Sequence, residues 1–327
     1  MVEISELNGC NVLVTGATGL IGSALVETLL TTSTTCHVYA ACRNVEQGKL
    51  RFAPHNNCQR FHLLNYDVTQ PLMGDICFDY IIHAASPASP NSFSQYPVEV
   101  MTANFLGVKH LLDYGMKHDM KRLLFVSSGE IYGEGDGHAF SEKDSGYINC
   151  NSPRACYPSS KRAAETLCAS YVSEYGTDIV IARLCHTYGP YFTKNDNRVY
   201  AQFLRNVIRG EDITLKSQGM QMRSWIYISD AISGILHILL KGEKGEAYNV
   251  ANPQSCITIR QLAELTASLA GRKVVFDIPK DDLYQGNTTP ISCATFSTKK
   301  LQTLGWQPQY SMEEGLRKTL AILKLAE

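Results

Sequence analysis

Hydrophobic and polar positions along the chain follow two periods, one typical of strands and one typical of helices. The apolar run from Asn11 to Thr15 is separated by a glycine-rich turn from an amphipathic stretch at Leu20 to Leu30, an order that predicts strand, turn and helix. Further strands are predicted at His37 to Cys42, Phe61 to Leu64, Tyr80 to His83, Leu123 to Ser127 and Ile179 to Leu184. Strands that alternate with helical segments predict an α/β fold with a doubly wound parallel sheet.

The hydrophobic pattern is less regular in the second half of the chain. A long helix is predicted at Ser159 to Glu174, before the strand that ends at Leu184. The helices predicted after Gly189 are Arg198 to Arg209, Asp230 to Leu240, Ile259 to Ala270 and Met312 to Leu325. We therefore predict a main domain over residues 1–188 and a smaller, mostly helical substrate lobe over residues 189–327, with part of the chain returning to the main domain.

Composition narrows the class of protein. The 327 residues are 44% hydrophobic and carry a net charge of −1, so the bulk charge gives no attraction to nucleic acid or to an anionic membrane. No apolar run is long enough for a membrane span, and Met1 to Glu6 lack a basic, apolar signal region. The eleven cysteines are scattered without a Cys-x-x-Cys pair, which is typical of reduced thiols. We expect a cytoplasmic protein without a metal, a nucleic-acid partner or a membrane anchor.

The glycine turn has the spacing of a phosphate site. Three glycines, each three residues after the last, follow the first strand and open the first helix. They permit a tight turn and a close backbone approach, and the helix N-terminus faces the pyrophosphate of a dinucleotide. The turn therefore predicts a Rossmann-type NAD(P)-binding domain. Its expected cofactor contacts are Gly16, Thr18, Gly19, Leu20, Ile21 and Gly22.

The end of the second strand bears on the choice of dinucleotide. A carboxylate there binds the adenosine ribose, whereas an arginine pairs with a 2′-phosphate. Arg43 follows that strand directly, which favours NADP and leaves NAD open. Asp67 and Val68 follow the third strand and are placed to meet the adenine, with a turn-capping aspartate as the alternative.

A tyrosine and a lysine four residues apart lie at the start of the long predicted helix. If Ser159 begins that helix, Tyr157 lies just before it and Lys161 lies in its first turn. A nearby ammonium stabilises a phenolate and lowers the pKa of the tyrosine. Downstream of a dinucleotide turn, the pair predicts Tyr157 as general base and Lys161 as its partner and a ligand of the nicotinamide ribose.

Eight segments resemble the motifs of one enzyme family. They are Gly16 to Gly22, His83-Ala84-Ala85, Asn104 within Ala103 to Gly107, Ser127 to Gly133, Tyr157 to Lys161, Thr187 to Pro190, Arg223 to Asp230 and Tyr248 to Val250. By these segments the chain resembles the extended short-chain dehydrogenase/reductase family, in its nucleotide-sugar epimerase, dehydratase and decarboxylase branch. The resemblance implies a nucleotide-diphosphate sugar substrate, a role in polysaccharide biosynthesis, and a homodimer formed through the helices around Ala103 to Tyr114 and Ser159 to Tyr175.

The resemblance also implies which side chains perform the first step. Tyr157 takes the proton of the sugar C4 hydroxyl while a hydride passes to the nicotinamide, Ser128 shares that hydroxyl, and Lys161 tunes Tyr157. The product is a transient 4-keto sugar with an acidic C5 hydrogen. Dehydration, epimerisation and decarboxylation are its three continuations within the branch.

Gly129 and Glu130 help to indicate which of these three reactions follows the oxidation at C4. Dehydratases of the branch usually carry Asp-Glu after the hydroxyl residue, the Asp protonating the departing C6 oxygen and the Glu removing the C5 proton. Many 4-epimerases have no acid at either position. This chain has Gly129-Glu130, which makes Glu130 the expected catalytic base, or else a residue that anchors a loop.

Decarboxylases of the branch resemble two local segments, Pro153 to Tyr157 and Asn195 to Arg198. They also place an arginine shortly before a proline in the C-terminal lobe to meet the substrate carboxylate. The matching stretch here, Asn287-Thr288-Thr289-Pro290, contains no cation. This counts against a uronic acid substrate, because a buried carboxylate requires pairing.

The remaining expected contacts also follow from the resemblance. Arg223 is expected to grip the nucleotide diphosphate, with Arg198 a second candidate for the same anion. His186, where the family often has Asn, is a sugar contact, an extra acid or a packed histidine. The other expected ligands are Ala84, Ala85 and Asn104 for the cofactor and Ser86 for the substrate.

We expect a nucleotide-sugar 4,6-dehydratase that forms a 4-keto-6-deoxy sugar, with a 4-epimerase as the alternative and a nucleotide-uronate decarboxylase third. A non-catalytic NAD(P)-sensing protein is a different class. The intact Ser128, Tyr157 and Lys161 argue against a sensor, which has no need of an activated phenol. A ketone reductase that releases its cofactor at each turnover is a further alternative.

Overall fold

The computed structural model describes residues 4–32, 35–193, 196–278 and 293–325. Its strands, β1 to β13 in chain order, are Asn11–Thr15, His37–Cys42, Phe61–Asn65, Tyr80–His83, Arg122–Ser128, Ile179–Leu184, His186–Tyr188, Ile213–Leu215, Met222–Tyr227, Ala247–Val250, Cys256–Thr258, Val274–Phe276 and Cys293–Ala294. Its α-helices, α1 to α10, are Leu20–Thr32, Val45–Arg51, Pro90–Gln95, Pro97–Lys117, Cys156–Tyr175, Val199–Ile208, Ile228–Lys241, Ile259–Leu269, Lys299–Thr303 and Met312–Leu325.

Seven parallel strands form the central sheet, in the order β3-β2-β1-β4-β5-β6-β10. The strand order reverses between β1 and its neighbour β4, so a crevice opens at the carboxyl ends of these two strands. The predicted α/β fold with a Rossmann-type doubly wound parallel sheet is confirmed.

Helices cover both faces of this sheet. α1 and α7 pack together on one face, and α4 and α5 pack together on the other. Successive residues of β1 are buried in different cores, Val12 and Val14 on the first face and Leu13 on the second. A strand that is buried on both faces has a continuous apolar sequence, which is why β1 was predictable.

The C-terminal segment contributes to two structures. β10, Ala247–Val250, pairs with β6 at the edge of the central sheet. The other short strands lie outside it: β9 pairs with β7, β11 and β13, and β8 pairs with β12. α6, α8 and α10 pack against one another beside these strands.

The long helix begins earlier than the sequence indicated. α5 starts at Cys156, three residues before the predicted Ser159. Pro158 is tolerated there because the first N–H groups of a helix have no partner inside it. Tyr157 and Lys161 are therefore one turn apart on the same helix, and the expectation that Tyr157 precedes the helix is corrected.

The described residues contain neither a helix that could cross a membrane nor a cluster that could hold a metal ion. None of their helices has both the length and the apolar character that crossing a membrane requires. Within those same ranges, no group of three or more histidine, cysteine or acidic side chains is arranged to hold a metal ion.

Candidate active site

The glycine turn between β1 and α1 forms a cradle at the crevice. Gly16 has a φ of +66°, and a Cβ built on it would lie 2.7 Å from the Cα of Ala85. A Cβ on Gly22 would lie 2.2 Å from the carbonyl oxygen of Gly16. Backbone therefore approaches backbone at both positions, which only glycine allows. The turn and the N-terminus of α1 fit the pyrophosphate of a dinucleotide, and NAD would be held by this turn together with Ala84 and Ala85. Thr18, Gly19 and Ile21 are half-buried in the same turn, and Leu20 is buried at the start of α1.

The carboxyl ends of β2 and β3 lie next to the cradle. Arg43 is exposed, and its charge contributes to lowering the pKa of Asp67. Asp67 accepts hydrogen bonds from the backbone N–H and the hydroxyl of Thr69, each at 2.9 Å. Asp67 therefore caps the turn after β3. Val68 is buried and its carbonyl contacts the imidazole of His110 at 3.1 Å.

A chain of polar side chains connects the loop after β4 to the start of α5. The hydroxyl of Ser86 donates to the amide oxygen of Asn104 at 2.7 Å, and the amide nitrogen of Asn104 donates to the hydroxyl of Ser160 at 2.9 Å. Ser160 in turn donates to the carbonyl of Tyr157 at 3.0 Å. Asn104 is fully buried, so these bonds fix the backbone that carries Tyr157. Ser86 and Asn104 are thus partners of each other.

Tyr157 is buried where α5, β5 and α3 meet. Its ring stacks on Phe93 of α3 with the centroids 4.7 Å apart. Burial raises the pKa of Tyr157 to about 12, and the negative charge of Glu130 adds to this increase. Hydrogen bonding with Ser128 and the charges of Arg198 and Arg154 act in the opposite direction.

Lys161 lies one turn further along α5 and points toward β5. Its Nζ donates to the carbonyl of Val126 at 2.9 Å and lies 4.5 Å from the ring centroid of Phe125. Burial lowers the pKa of Lys161 to about 7. The sequence predicted that this ammonium lowers the pKa of Tyr157. In the structure burial raises that pKa, and the charges of Arg198 and Arg154 oppose the increase. Nζ of Lys161 lies 5.9 Å from the ring centroid of Tyr157, and the effect of its charge stays a prediction.

Ser128 and Glu130 lie on the short 3-10 turn Gly129–Tyr132 that follows β5. Ser128 caps this turn, because its hydroxyl accepts the N–H of Glu130 at 3.2 Å. The carboxylate of Glu130 pairs with Nη2 of Arg154, at 3.1 and 2.9 Å from its two oxygens. Glu130 is therefore an ion-pair partner at the edge of the site as well as a neighbour of Tyr157.

Gly129 is packed against an aromatic side chain from the far end of the chain. A Cβ at position 129 would lie 2.3 Å from Cζ of Phe296 and 2.6 Å from its Cε1. Phe296 is buried, packs on Tyr132 and Phe140, and is tied through its backbone N–H to Ser224 at 3.2 Å. No side chain fits at position 129 unless Phe296 moves.

β7 and β9 bring His186 and two arginines toward the same cleft. His186 is exposed and its ring lies 5.1 Å from that of Trp225. Surrounding protein nevertheless lowers its pKa, and the charges of Arg223 and Arg198 add to the decrease. Because its surroundings disfavour the charged form, the imidazole of His186 is neutral at pH 7.

The two arginines differ in their environment. Arg198 is paired with Asp196 and contacts the hydroxyl of Tyr200 at 3.0 Å. Arg223 is buried and its Nη1 donates to the carbonyl of Met222 at 2.8 Å. The charge of Arg198 acts to lower the pKa of Tyr157, and the charge of Glu130 acts to raise the pKa of Arg223. These four groups therefore lie in one site.

Sequence reasoning missed three residues of this site. Phe93 covers Tyr157, Arg154 pairs with Glu130, and Phe296 packs on Gly129. Arg154 was visible only as part of the segment before Tyr157, and the other two have no local motif. The stretch Asn287-Thr288-Thr289-Pro290 and Asn195 lie outside the described residues.

Comparison with known proteins gives matches across most of the chain. The NAD dependent epimerase/dehydratase family matches residues 12–251. UDP-glucuronic acid decarboxylase 1 of Xenopus tropicalis is 33% identical over 320 residues, covering 97% of this chain and 73% of that protein. UDP-glucuronic acid decarboxylase 6 of Arabidopsis thaliana is 34% identical over 309 residues, covering 93% and 86%. The structure of a DesIV double mutant, a dTDP-glucose 4,6-dehydratase from Streptomyces venezuelae with NAD and DAU bound, matches with a TM-score of 0.81 at 25% identity over 95% of each chain.

Proposed function

This chain belongs to the NAD-dependent epimerase/dehydratase family, and from that premise we propose that it is a nucleotide-uronate decarboxylase. It oxidises a nucleotide-linked uronic acid at C4, releases C6 as CO2 and yields a nucleotide-linked pentose. From the sequence alone, the expected function is a 4,6-dehydratase. Gly129 and the relatives support decarboxylation instead.

The opening step uses Tyr157 and Ser128. Ser128 holds the C4 hydroxyl and Tyr157 removes its proton, while bound NAD supplies the acceptor for the C4 hydride and later its donor. Arg198 and Arg154 favour the phenolate, because their charges lower the pKa of Tyr157. Lys161, held by the carbonyl of Val126 one helical turn from Tyr157, would contact the nicotinamide ribose.

The second step requires little from the protein. A 4-keto uronate is a β-keto acid, so the C5–C6 bond breaks, CO2 leaves and the electron pair becomes the C4–C5 enolate. C5 then takes a proton from solvent, and C4 takes back the hydride and the proton held by Tyr157. Overall, one proton replaces one CO2 and the cofactor ends as it began.

The observation that carries the proposal is the contact between Gly129 and Phe296. A dehydratase must protonate the departing C6 oxygen, and the branch places that acid at the position of Gly129. A Cβ there would lie 2.3 Å from Phe296, so the space for the acid is filled. Loss of CO2 requires no protonated leaving group.

The curated relatives support the same choice. Both decarboxylases are 33–34% identical across at least 93% of this chain. The dehydratase structure matches at 25% identity. Because one fold accommodates both reactions, the fold itself does not discriminate between them.

A nucleotide-sugar 4-epimerase is the second candidate. The stretch Asn287 to Pro290 has Thr288 where a decarboxylase of the branch has an arginine. A neutral hexose needs no cation at C6, and epimerisation needs no acid at position 129. This alternative keeps the same first step and omits the bond cleavage at C6.

We propose NAD as the cofactor, in place of the NADP that Arg43 favoured. Arg43 lies beside the Asp67 carboxylate and helps to lower its pKa, so its charge is already partly balanced. The family is NAD-dependent. Titration with both cofactors tests the choice: Arg43→Ala is expected to leave NAD affinity within about twofold, and tighter binding of NADP by the unaltered chain contradicts it.

We also propose a homodimer formed through α4 and α5. Met101 and Phe105 of α4 are exposed, and they line an apolar groove of about 300 Å³ beside Ala163 of α5. Light scattering tests this proposal. We expect Phe105→Glu to give a monomer, and a monomer in the unaltered chain contradicts the proposal.

Product mass tests the proposed reaction. The protein is incubated with NAD and with UDP-, dTDP-, GDP- or CDP-linked uronates and neutral hexoses. We expect a uronate to become lighter by CO2, with Tyr157→Phe as the inactive control. A neutral hexose that becomes lighter by water establishes the dehydratase instead, and an unchanged mass with a new chromatographic peak establishes the epimerase. Accumulation of one NADH per turnover indicates an enzyme that releases its cofactor each time, namely a ketone reductase working in the direction of alcohol oxidation. NAD binding without any conversion indicates a sensor.

A further inference from the structure

Arg154 is connected to Tyr157 through the ring of Phe93, and its charge acts on the phenol. It lies on the 3-10 turn Pro153–Ala155 just before α5, where the hydroxyl of Ser152 accepts its N–H at 3.3 Å. Its guanidinium lies 4.7 Å from the ring centroid of Phe93, and the ring of Tyr157 stacks on the same phenyl ring. Arg154, Phe93 and Tyr157 therefore form one stack, which fixes the guanidinium relative to the reacting group.

Part of the hydrogen-bonding capacity of Arg154 is unused. Its Nη2 contacts both oxygens of Glu130. Within the described ranges, neither Nε nor Nη1 makes a hydrogen bond to protein. The side chain is 35% exposed and that of Glu130 is 29% exposed, so the ion pair faces solvent in the cleft. A guanidinium has five N–H donors, and those on Nε and Nη1 that Glu130 does not use can each donate to a second acceptor.

Two neighbouring cations have fewer open donors. Asp196 and Tyr200 occupy Nε and Nη2 of Arg198, which leaves Nη1 of that side chain. Lys161 is buried against the carbonyl of Val126. Arg154 thus combines proximity to Tyr157 with donors that are open to the cleft.

We propose that Arg154 is the specificity-determining residue that binds the C6 carboxylate of the substrate. This inference rests on the proposed function and names its substrate class, a nucleotide-linked uronic acid. Glu130 stays on Nη2 and orients the guanidinium, and the substrate carboxylate accepts a hydrogen bond from Nη1. Each of the two carboxylates is then hydrogen-bonded to the guanidinium, because a buried carboxylate without a partner is strongly disfavoured.

Binding measurements with two matched ligands test the role. Calorimetry with NAD present compares a nucleotide-uronate with the neutral hexose of the same nucleotide, in a Tyr157→Phe background that prevents turnover. Arg154→Gln is expected to weaken uronate binding by about 10- to 100-fold and to leave the neutral ligand within about twofold. Arg154→Lys keeps the charge and should recover part of the uronate affinity.

Two controls separate this role from others. Arg198→Gln is expected to weaken both ligands alike, since a diphosphate contact does not distinguish them. Adding Glu130→Gln to Arg154→Gln removes the carboxylate that would otherwise repel the uronate. The selective loss should persist in that double variant.

The outcomes separate the inference from the proposed function. An Arg154→Gln variant that weakens both ligands equally, or that keeps the preference for the uronate, overturns the role of Arg154. Recovery of uronate binding in the double variant also overturns it, since repulsion by Glu130 would then explain the loss. If the unaltered enzyme converts no uronate, the proposed function fails on product mass, independently of these affinities.

Discussion

Tyr157 is the residue on which the proposed chemistry depends. Its phenol is buried, and burial raises its pKa to about 12, so it needs the adjacent cations and Ser128 to act as a base. We expect Tyr157→Phe to lower turnover by about a hundredfold to ten-thousandfold while the free energy of unfolding and NAD affinity stay the same. Steady-state rates, denaturant melts and NAD titration check this. Full activity in the variant contradicts the mechanism.

Gly129 and Phe296 form a steric pair that a double-mutant cycle can measure. We expect Gly129→Ala to lower the free energy of unfolding by about 1–3 kcal/mol, because the new Cβ overlaps the phenyl ring. In a Phe296→Leu background the same substitution should be less destabilising. Equal losses in the two backgrounds would show that the two positions do not interact.

At the scale of elements, the hydrogen-bonded chain between α4 and α5 positions the catalytic helix. Asn104→Leu leaves the hydroxyls of Ser86 and Ser160 without this partner, and we expect a loss of about 1–3 kcal/mol in the free energy of unfolding together with a lower kcat. Lys117→Ala, at the exposed C-terminal end of α4, is the control and should change both quantities little. Denaturant melts and steady-state rates report the two effects, and an unaltered kcat in Asn104→Leu would mean that the chain of bonds is not needed to position Tyr157.

Elements with a strong apolar pattern were predictable, and others were not. β1, β2, β4 and β6 have the predicted bounds, since their apolar runs end at polar or turn residues. α5 began early because proline at its start is compatible with the first helical turn. Short strands such as β8 and β12 pair only with each other, and three residues are too few to show a period.

The pH dependence of unfolding is a property of the whole molecule to which His83 contributes. Its fully buried imidazole bonds to the Thr15 hydroxyl at 2.7 Å, and burial lowers its pKa from 6.5 to about 3. Between these values the unfolded chain binds the proton and the folded chain does not, so stability is present above pH 6.5 and falls on acidification. We expect His83→Asn to reduce the acid loss by about 1.4 kcal/mol per pH unit in that range. Parallel pH profiles of denaturant melts would contradict this.

The candidate site could be predicted only where its residues carry a local motif. The glycine turn, Ser128, Tyr157 and Lys161 lie next to strand ends or helix starts, so their spacing was informative. Phe296 reaches Gly129 from 167 residues further along the sequence. Such a contact depends on how the C-terminal segment packs against β5 and β9, and no single-sequence pattern specifies it.

The most direct test of the whole account follows the fate of C6. A nucleotide-uronate with a heavy-carbon label at C6 is incubated with the enzyme and NAD, and the label is followed by NMR. The account predicts that the label leaves the sugar and appears in CO2 and bicarbonate, that the product is a nucleotide-linked pentose, and that Tyr157→Phe prevents both. A label that stays in the sugar while the substrate is converted would contradict decarboxylation.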